Sequence, residues 1–458
     1  MDRRNLLIVF ARFPVPGKTK TRLIPKLGEH GAARLHRDMT RYTIGSANEL
    51  PPEIRIELWC DGGSEHEIRE SFGSDAPVRF QADGDLGKRM FVSFSDSFGR
   101  GFGSVVLVGT DCPSLTPDIM KRAFELLETT DCVIGPAHDG GYYLIGLNRS
   151  CREIFEGISW GRSDVLDQTL AKAHASGLSI SLLDVLHDID RPEDIPLWET
   201  AFMEKNTSIS VIIPVLNEGT AIVDAVHRLR QVPGIEVIVA DGGSSDGTPE
   251  AAASCGATVV HAPQGRAVQM NAGAVNAHSE ILLFLHADTH LPDGFDAQIR
   301  SVLADPGVIA GSFSLGFDDE SLPMKITAWG ANVRSRFLQL PYGDQAFFLK
   351  SPDFSASGGF PDIPIMEDVL FMRTLRSKGR IVTLPRKVVT SARRHKRLGV
   401  FRTWLINQYV ISGFLLGADP TALSRLYRTH GGISEWLSLL GDAVRKKLRV
   451  RADKQFFS

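Results

Sequence analysis

Two apolar stretches of this 458-residue chain each end on an aspartate. ILLFLHADTH (281–290) runs apolar and stops on His286, Ala287 and Asp288; VVLVGTDCPS (105–114) stops on Asp111. A carboxylate closing a buried strand needs a partner, because an uncompensated charge there is costly. Two such strands point to a chemistry needed twice. EVIVADGGSSDGT (236–248) sets Asp241 and Asp246 beside bare backbone in a glycine-rich turn, for which a solvated turn is the plain alternative. In IMEDVLFMRTLR, Glu367 and Asp368 are adjacent. On a helix they point about 100° apart, so one faces a site while the other supports it or faces out. An acid pair stabilised by the positive helix end is the simpler account. TSARRHKR, with Arg393 and Arg394, reads as a cationic contact or as a solvated face.

Strands alternating with helical patterns would position these groups. IRIELWCD (54–61), VRFQAD (78–83), SVVLVGTD (104–111) and CVIGPA (132–137) follow LLIVFA in the first half. ISVIIPV, EVIVAD (236–241), ATVVHA (257–262) and ILLFLHAD (281–288) do so in the second. Continuous β-branched runs alternating with helices predict an α/β fold with mainly parallel sheets. Ligands of such sheets lie beyond the carboxyl ends of the strands, where the aspartates are.

The length predicts two domains. A composition of 43% hydrophobic and 23% charged residues, with formal net charge −3, is that of a globular protein and gives no reason to expect nucleic acid. Five scattered cysteines without CxxC spacing argue against disulfides or zinc and fit a reducing cytoplasm. No apolar run reaches membrane-spanning length. The N-terminal LLIVFA reads as a first strand rather than a signal peptide. WETAFMEKNTS (198–208) reads as a linker.

In order and spacing, VIIPVLNEG, EVIVADGGSSDG, GRAVQMNAGA, HAD, GDQAFFLK and IMEDVLFMRTLR closely resemble the family-2 glycosyltransferases of the GT-A fold, over about residues 208–400. More narrowly they resemble the arsenosugar-biosynthesis-type subfamily, which reads HAD where others read DxD. The resemblance implies a nucleoside-diphosphate sugar donor, an acceptor, and Mn2+ or Mg2+ to neutralise the diphosphate. Asp288 would be a metal ligand. His286, standing in place of the first acid, departs from the broader pattern and tilts the metal toward Mn2+. Pro214, Asn217, Glu218 and Asp241 would contact the nucleotide, and Gly265, Arg266 and Asn271 would lie near base and ribose. Arg393 and Arg394 would face the pyrophosphate, and Gly343, Asp344 and Gln345 would shape the acceptor pocket. Asp368 would be the general base of an inverting transfer, with Glu367 beside it.

FARFPVPGKTKTRL (10–23) fails as a P-loop, because Arg12 stands where glycine is required. With QADGDLGKRM, GTDCPSL, GPAHDGGYYLIGL and HDIDRPEDI, it resembles a GT-A-like family (DUF2064-type, arsenosugar-associated) related to molybdenum-cofactor nucleotidyltransferases, over about residues 5–200. The resemblance implies that Lys18, Lys20, Arg22, Gly87 and Arg89 hold a nucleotide and that Asp111 binds metal. Asp190 is the likelier second ligand by the same resemblance, ahead of Asp188, with a helix cap as its alternative role. Asp139, Gly140, Gly141 and Tyr142 form a turn suited to a nucleotide or sugar, or a plain hairpin.

The expected fold is therefore two GT-A-like, Rossmann-like (nucleotide-diphospho-sugar transferase) domains in tandem: 1–203 nucleotidyltransferase-like, 208–400 glycosyltransferase, then a helical extension at 401–458. The extension (LGVFRTWLINQYVISGFLLG, then basic VRKKLRVRADK) reads as a peripheral membrane contact on the inner face or as helices packed on the catalytic domain. A first half that only binds or docks a nucleotide, or a chain whose main activity is nucleotidyl transfer, are the competing functions. A nicotinamide dehydrogenase is disfavoured because no GxGxxG follows either first strand. Sugar, acceptor and oligomeric state leave no mark in the sequence.

Overall fold

The computed structural model describes residues 4–204, 207–429 and 436. It divides into two compact units, Met1–Glu204 and Lys205–Ser458.

The first unit is built on seven strands: β1 Arg4–Arg12, β2 Ile54–Asp61, β3 Val78–Phe80, β4 Phe102–Val108, β5 Cys132–Pro136, β6 Tyr142–Leu147 and β7 Ile180–Leu182. Their order is β3-β2-β1-β4-β6-β5-β7. Neighbours are parallel except at β6, which is antiparallel to β4 and β5. The apolar run of β1 is continuous because both faces are covered: Leu7 and Val9 enter one core, Leu6 and Ile8 the other.

The second unit repeats this plan with β8 Ile209–Val215, β9 Ile235–Asp241, β10 Thr258–His261, β11 Ile281–Phe284, β12 Thr289–His290, β13 Val308–Phe317, β14 Phe347–Lys350 and β15 Arg380–Thr390. The order is β10-β9-β8-β11-β14-β13-β15-β12, with β14 antiparallel to both neighbours. Without the two-residue β12 on the edge, the two sheets have the same strand order and the same single reversed strand. An aromatic cluster of Phe284, Phe347, Phe354, Phe360 and Phe371 fills one face.

The segment expected as linker is mostly helix: Ile195–Glu204 continues through it, with Trp198 buried. Helices Val400–Leu416 and Pro420–Thr429 pack Ile406, Val410 and Leu423, with Trp436, against Met366 and Val369. The packed-helix reading of 398–417 thus describes one face of this pair. The basic stretch 444–454 lies outside the described residues. Among the described residues no helix is long and apolar enough to cross a membrane.

Candidate active site

Each sheet gathers acids at the carboxyl ends of its parallel strands, and in each one cation is clamped between two of them. In the second unit β11 ends at Phe284, and the chain runs through His286 to Asp288. The segment after β15 returns to the same place, where the Ser391 N–H donates to the Asp288 carbonyl at 3.2 Å. Arg393 then reaches Asp288 at 3.0 Å and Glu218, in the loop after β8, at 3.3 Å. Asp288 therefore has a cationic partner, as its position demanded.

The loop after β8 is stitched to the turn after β9. Asn217, in a left-handed conformation (φ 56°), takes Ser244 Oγ on its N–H, while its side-chain oxygen accepts from the Ser245 N–H. Asp246 accepts from the Gly219 N–H. Asp241 is buried and accepts from the Gly243 and Ser244 N–H groups, and these bonds hold its carboxyl below the usual range despite burial. Asn217 and Asp241 both brace the loops after β8 and β9 with their own polar atoms. Pro214 sits within β8, next to the Val215 carbonyl that accepts from buried Gln269.

A second cluster lies around Gly343. A Cβ there would stand 3.1 Å from His286 Nε2 and 3.6 Å from Asp368 Oδ2, so glycine keeps these two groups close. Asp368 Oδ2 accepts from the Gly343 N–H at 2.9 Å, and Oδ1 from the Val369 N–H at 2.8 Å. Glu367 and Asp368 begin the helix Glu367–Arg376, and both are buried. Of the two roles open to the second acid, supporting the site or facing out, the burial of both leaves the support. Burial and Asp368 raise the Glu367 pKa against the pull of Arg266, 3.8 Å away. Burial pushes the Asp344 pKa up too. Burial, helped by Arg266, pushes the His286 imidazole down to about 3, which leaves it neutral. Immediately before the acids, Met366 holds a left-handed backbone (φ 68°) while its side chain is buried against the C-terminal helices.

Several residues expected at the ligand are tied into the fold by their own side chains. Asn271, on the helix Arg266–Val275, exchanges two hydrogen bonds with the Phe360 backbone, at 2.8 and 2.9 Å, and so ties that helix to the Phe360 loop. Gln345 is fully buried and donates to the Phe313 carbonyl and Ser335 Oγ. Arg394 diverges from Arg393 and stacks 3.9 Å over Tyr427, where burial lowers its pKa to about 10. Gly265 leads into the helix Arg266–Val275, which points Arg266 toward the acid pair. Arg334, stacked 3.4 Å over Tyr342, has no signal in the sequence.

In the first unit, the Ile189 N–H donates to the Asp111 carbonyl at 2.9 Å, bringing the segment after β7 to the acid. The cation here is Lys20, from the loop after β1. Its ammonium lies 3.0 Å from Asp111, 2.7 Å from Asp190 and 2.6 Å from the Ile189 carbonyl. Burial would lower its pKa, but the two carboxylates outweigh it and raise it. Asp111 is held below the usual carboxylate range against its own burial by Lys20 and His36. A cavity of about 470 Å³ is lined by Arg12, Lys18, Lys20, Arg22, Arg89, Asp61, Asp111, Asp190 and Tyr142, among others. Asp61 pairs with Arg12 at 3.3 Å and Arg89 at 2.6 Å. Its signal was present in the sequence, since β2 ends on an acid as β9 does. Gly87 does not line the cavity; a Cβ there would meet the Phe155 carbonyl at 2.4 Å. Asp139, Gly140 and Gly141 form the hairpin turn between β5 and β6, with the Gly141 N–H donating to Asp139 and Gly140 pressed against Ser163. Asp188, half-buried, has its pKa raised by burial and by Asp139.

The two sites differ as metal sites. In the second unit a neutral imidazole stands two residues from Asp288. The Asp288 counter-ion, Arg393, is 60% exposed. These groups fit a divalent ion, although no three acid, histidine or cysteine side chains form a complete set among the described residues. In the first unit Asp111 and Asp190 do not form the expected metal pair: the Lys20 ammonium lies between them, its side chain 7% exposed.

Residues 48–162 match the family described as an uncharacterised protein conserved in bacteria (DUF2064), and residues 210–359 match glycosyl transferase family 2. No curated protein matches the chain. Among solved structures, a protein described as a nucleotide-diphospho-sugar transferase from Desulfovibrio desulfuricans G20 is 30% identical, over 43% of this chain and 87% of that one, with TM-score 0.41. Glucosyl-3-phosphoglycerate synthase from Mycobacterium tuberculosis, in complex with Mn2+, uridine diphosphate and glucosyl-3-phosphoglycerate, is 18% identical over 42% and 74% of the chains, with TM-score 0.30. Mannosyl-3-phosphoglycerate synthase from Rubrobacter xylanophilus is 17% identical over 43% and 70%, with TM-score 0.32.

Proposed function

We propose, for a chain that joins a DUF2064 segment to a glycosyl transferase family 2 domain and is thereby an enzyme of glycosyl transfer, that the second unit moves a sugar from a nucleoside-diphosphate donor to an acceptor hydroxyl with inversion. The convergence of His286, Gly343 and Asp368, with Arg266 beside Glu367, carries this reading. Asp368 takes the acceptor proton: two backbone N–H donors fix its carboxylate, and a base has to be held within reach of the proton it removes. Glu367 balances Arg266 and sets the local charge. Asp288 and His286 would hold Mn2+ or Mg2+, which supplies neutralisation of the diphosphate leaving group when bound. Arg393 lies at the same place and is the protein's own cation for the diphosphate. Gly343 and Asp344 border the acceptor side.

An apolar stripe of Leu322, Ile326, Trp329 and Phe337 is exposed on the helix Leu322–Leu338, as are Phe401, Trp404 and Leu415 on Val400–Leu416. It supports peripheral contact with a membrane surface and a lipid-like acceptor. The first unit handles a nucleotide or other phosphate ligand. Its service as a binding module rather than a second catalyst is favoured by Lys20 standing where its metal would be.

The test incubates the full chain with a panel of nucleotide sugars and Mn2+ or Mg2+. At least one donor should raise the melting temperature and release its nucleoside diphosphate. A panel in which none does either with either ion removes the proposal.

A further inference from the structure

We propose that Lys20 is the resident cation of the first unit's cavity, standing between Asp111 and Asp190 where a divalent ion would otherwise sit, so that this unit takes a diphosphate-bearing ligand without a metal. The inference rests on the reading of the first unit as a phosphate-handling domain, and narrows it.

An ammonium has three protons, and all three are placed: on Asp111 Oδ2, Asp190 Oδ1 and the Ile189 carbonyl. A metal drawing on these carboxylates would have to expel a side chain that is 7% exposed and leave its charge without partners. The backbone is bent to aim it there. Lys20 is itself left-handed (φ 49°, ψ 49°), a conformation a non-glycine residue keeps only when its surroundings enforce it. The enforcement is visible in the Val15 N–H bonded to Thr19 Oγ1 at 3.0 Å and the Lys18 and Thr19 N–H groups on the Val15 carbonyl. Such a device is wasted on a residue meant to move aside.

The remaining charges define the ligand. Arg12, Lys18, Arg22 and Arg89 line the same cavity as Lys20, and the acids Asp61, Asp111 and Asp190 are each already ion-paired. Cations are thus in excess within about 470 Å³, a volume suited to a small ligand. Phosphate oxygens are the groups that match guanidinium forks and ammonium ions together.

The test uses the full chain with two probes, Mn2+ and inorganic pyrophosphate. Bound Mn2+ is counted from the loss of the free-ion electron paramagnetic resonance signal. Asp111→Asn should bind as many ions per chain as the wild type, and Lys20→Met, which keeps the apolar stem, should bind one more. An ion lost in Asp111→Asn overturns the proposal, as does a folded Lys20→Met that gains none. Should Lys20→Met not fold, pyrophosphate calorimetry in excess chelator decides. The wild type should bind, and Lys18→Ala with Arg22→Ala should weaken binding by about tenfold or more. Binding that needs Mn2+ and disappears in Asp111→Asn overturns the metal-free assignment. No binding with or without Mn2+ instead removes the phosphate-handling reading on which it rests.

Discussion

The two units share a strand order, and their sites are built with the charges exchanged. In the first, the loop after the opening strand brings the cation, Lys20, and the segment after the last strand brings an acid, Asp190. In the second, the opening loop brings an acid, Glu218, and the closing segment brings the cation, Arg393. The acid after the fourth strand of the shared order, Asp111 or Asp288, is common to both. What the exchange alters is accessibility. Lys20 is sealed at 7% exposure, whereas Arg393 is 60% exposed. One arrangement buries its cation and the other leaves it open to solvent.

The largest test of this contrast is Asp368→Asn, because the first unit's cavity is lined by no adjacent acid pair. Turnover should fall by about 10²–10⁴-fold while calorimetric donor affinity stays unchanged. Loss of donor binding instead would assign Asp368 to the donor. Next comes the shared acid. Asp288→Asn should weaken metal-dependent donor binding by about 10- to 100-fold, and Asp111→Asn should leave it alone. Equal losses in the two variants would erase the distinction.

A third prediction concerns stability. Glu57, on β2, is buried in a two-pronged pair with Arg100 at 2.5 and 2.8 Å; Glu236, on β9, has Ser210 and exposed His278. Burial opposes ionisation of Glu57, but Arg100 outweighs it and lowers the pKa. The pair's contribution is therefore complete above the unfolded carboxylate value of about 4.3 and is lost as pH falls through the lower folded value. Glu57→Gln should cost the first unit about 1–3 kcal/mol at neutral pH, measured by denaturant unfolding. The gap to wild type should close below about pH 4. Glu236→Gln should cost less. The smallest effect is expected for Asn271→Ala: about 1 kcal/mol of stability from the lost Phe360 clamp, with donor affinity unmoved.

What the sequence made legible follows from where burial stops. β1, β2, β4, β8, β9 and β11 stand out because each is an apolar run closing on a polar or acidic end, and that end is also where ligands gather. β7, β13, β14 and β15 do not stand out in this way. β15 carries Arg380, Pro385, Arg386 and Lys387 on a strand broken by a bulge, so no period survives. The strand-end acids could be named as site residues for the same reason. That Asn271, Gln345 and Arg394 are each held by the fold itself could not be read from their neighbours in sequence. An amide that clamps a loop has the same local sequence as one that reads a ligand, and Phe360 lies 89 residues from Asn271. Nor could spacing reveal that Lys20 and Asp190, 170 residues apart, neutralise each other.

The left-handed Met366 joins the acid pair to the far end of the chain. Its side chain is wedged among Ile406, Val410 and Leu423, so the twist that launches Glu367 and Asp368 is propped from behind by these helices. Shortening the protein at residue 400, to trim it to its sheet, would knock out the prop and leave the acids in place but unaimed.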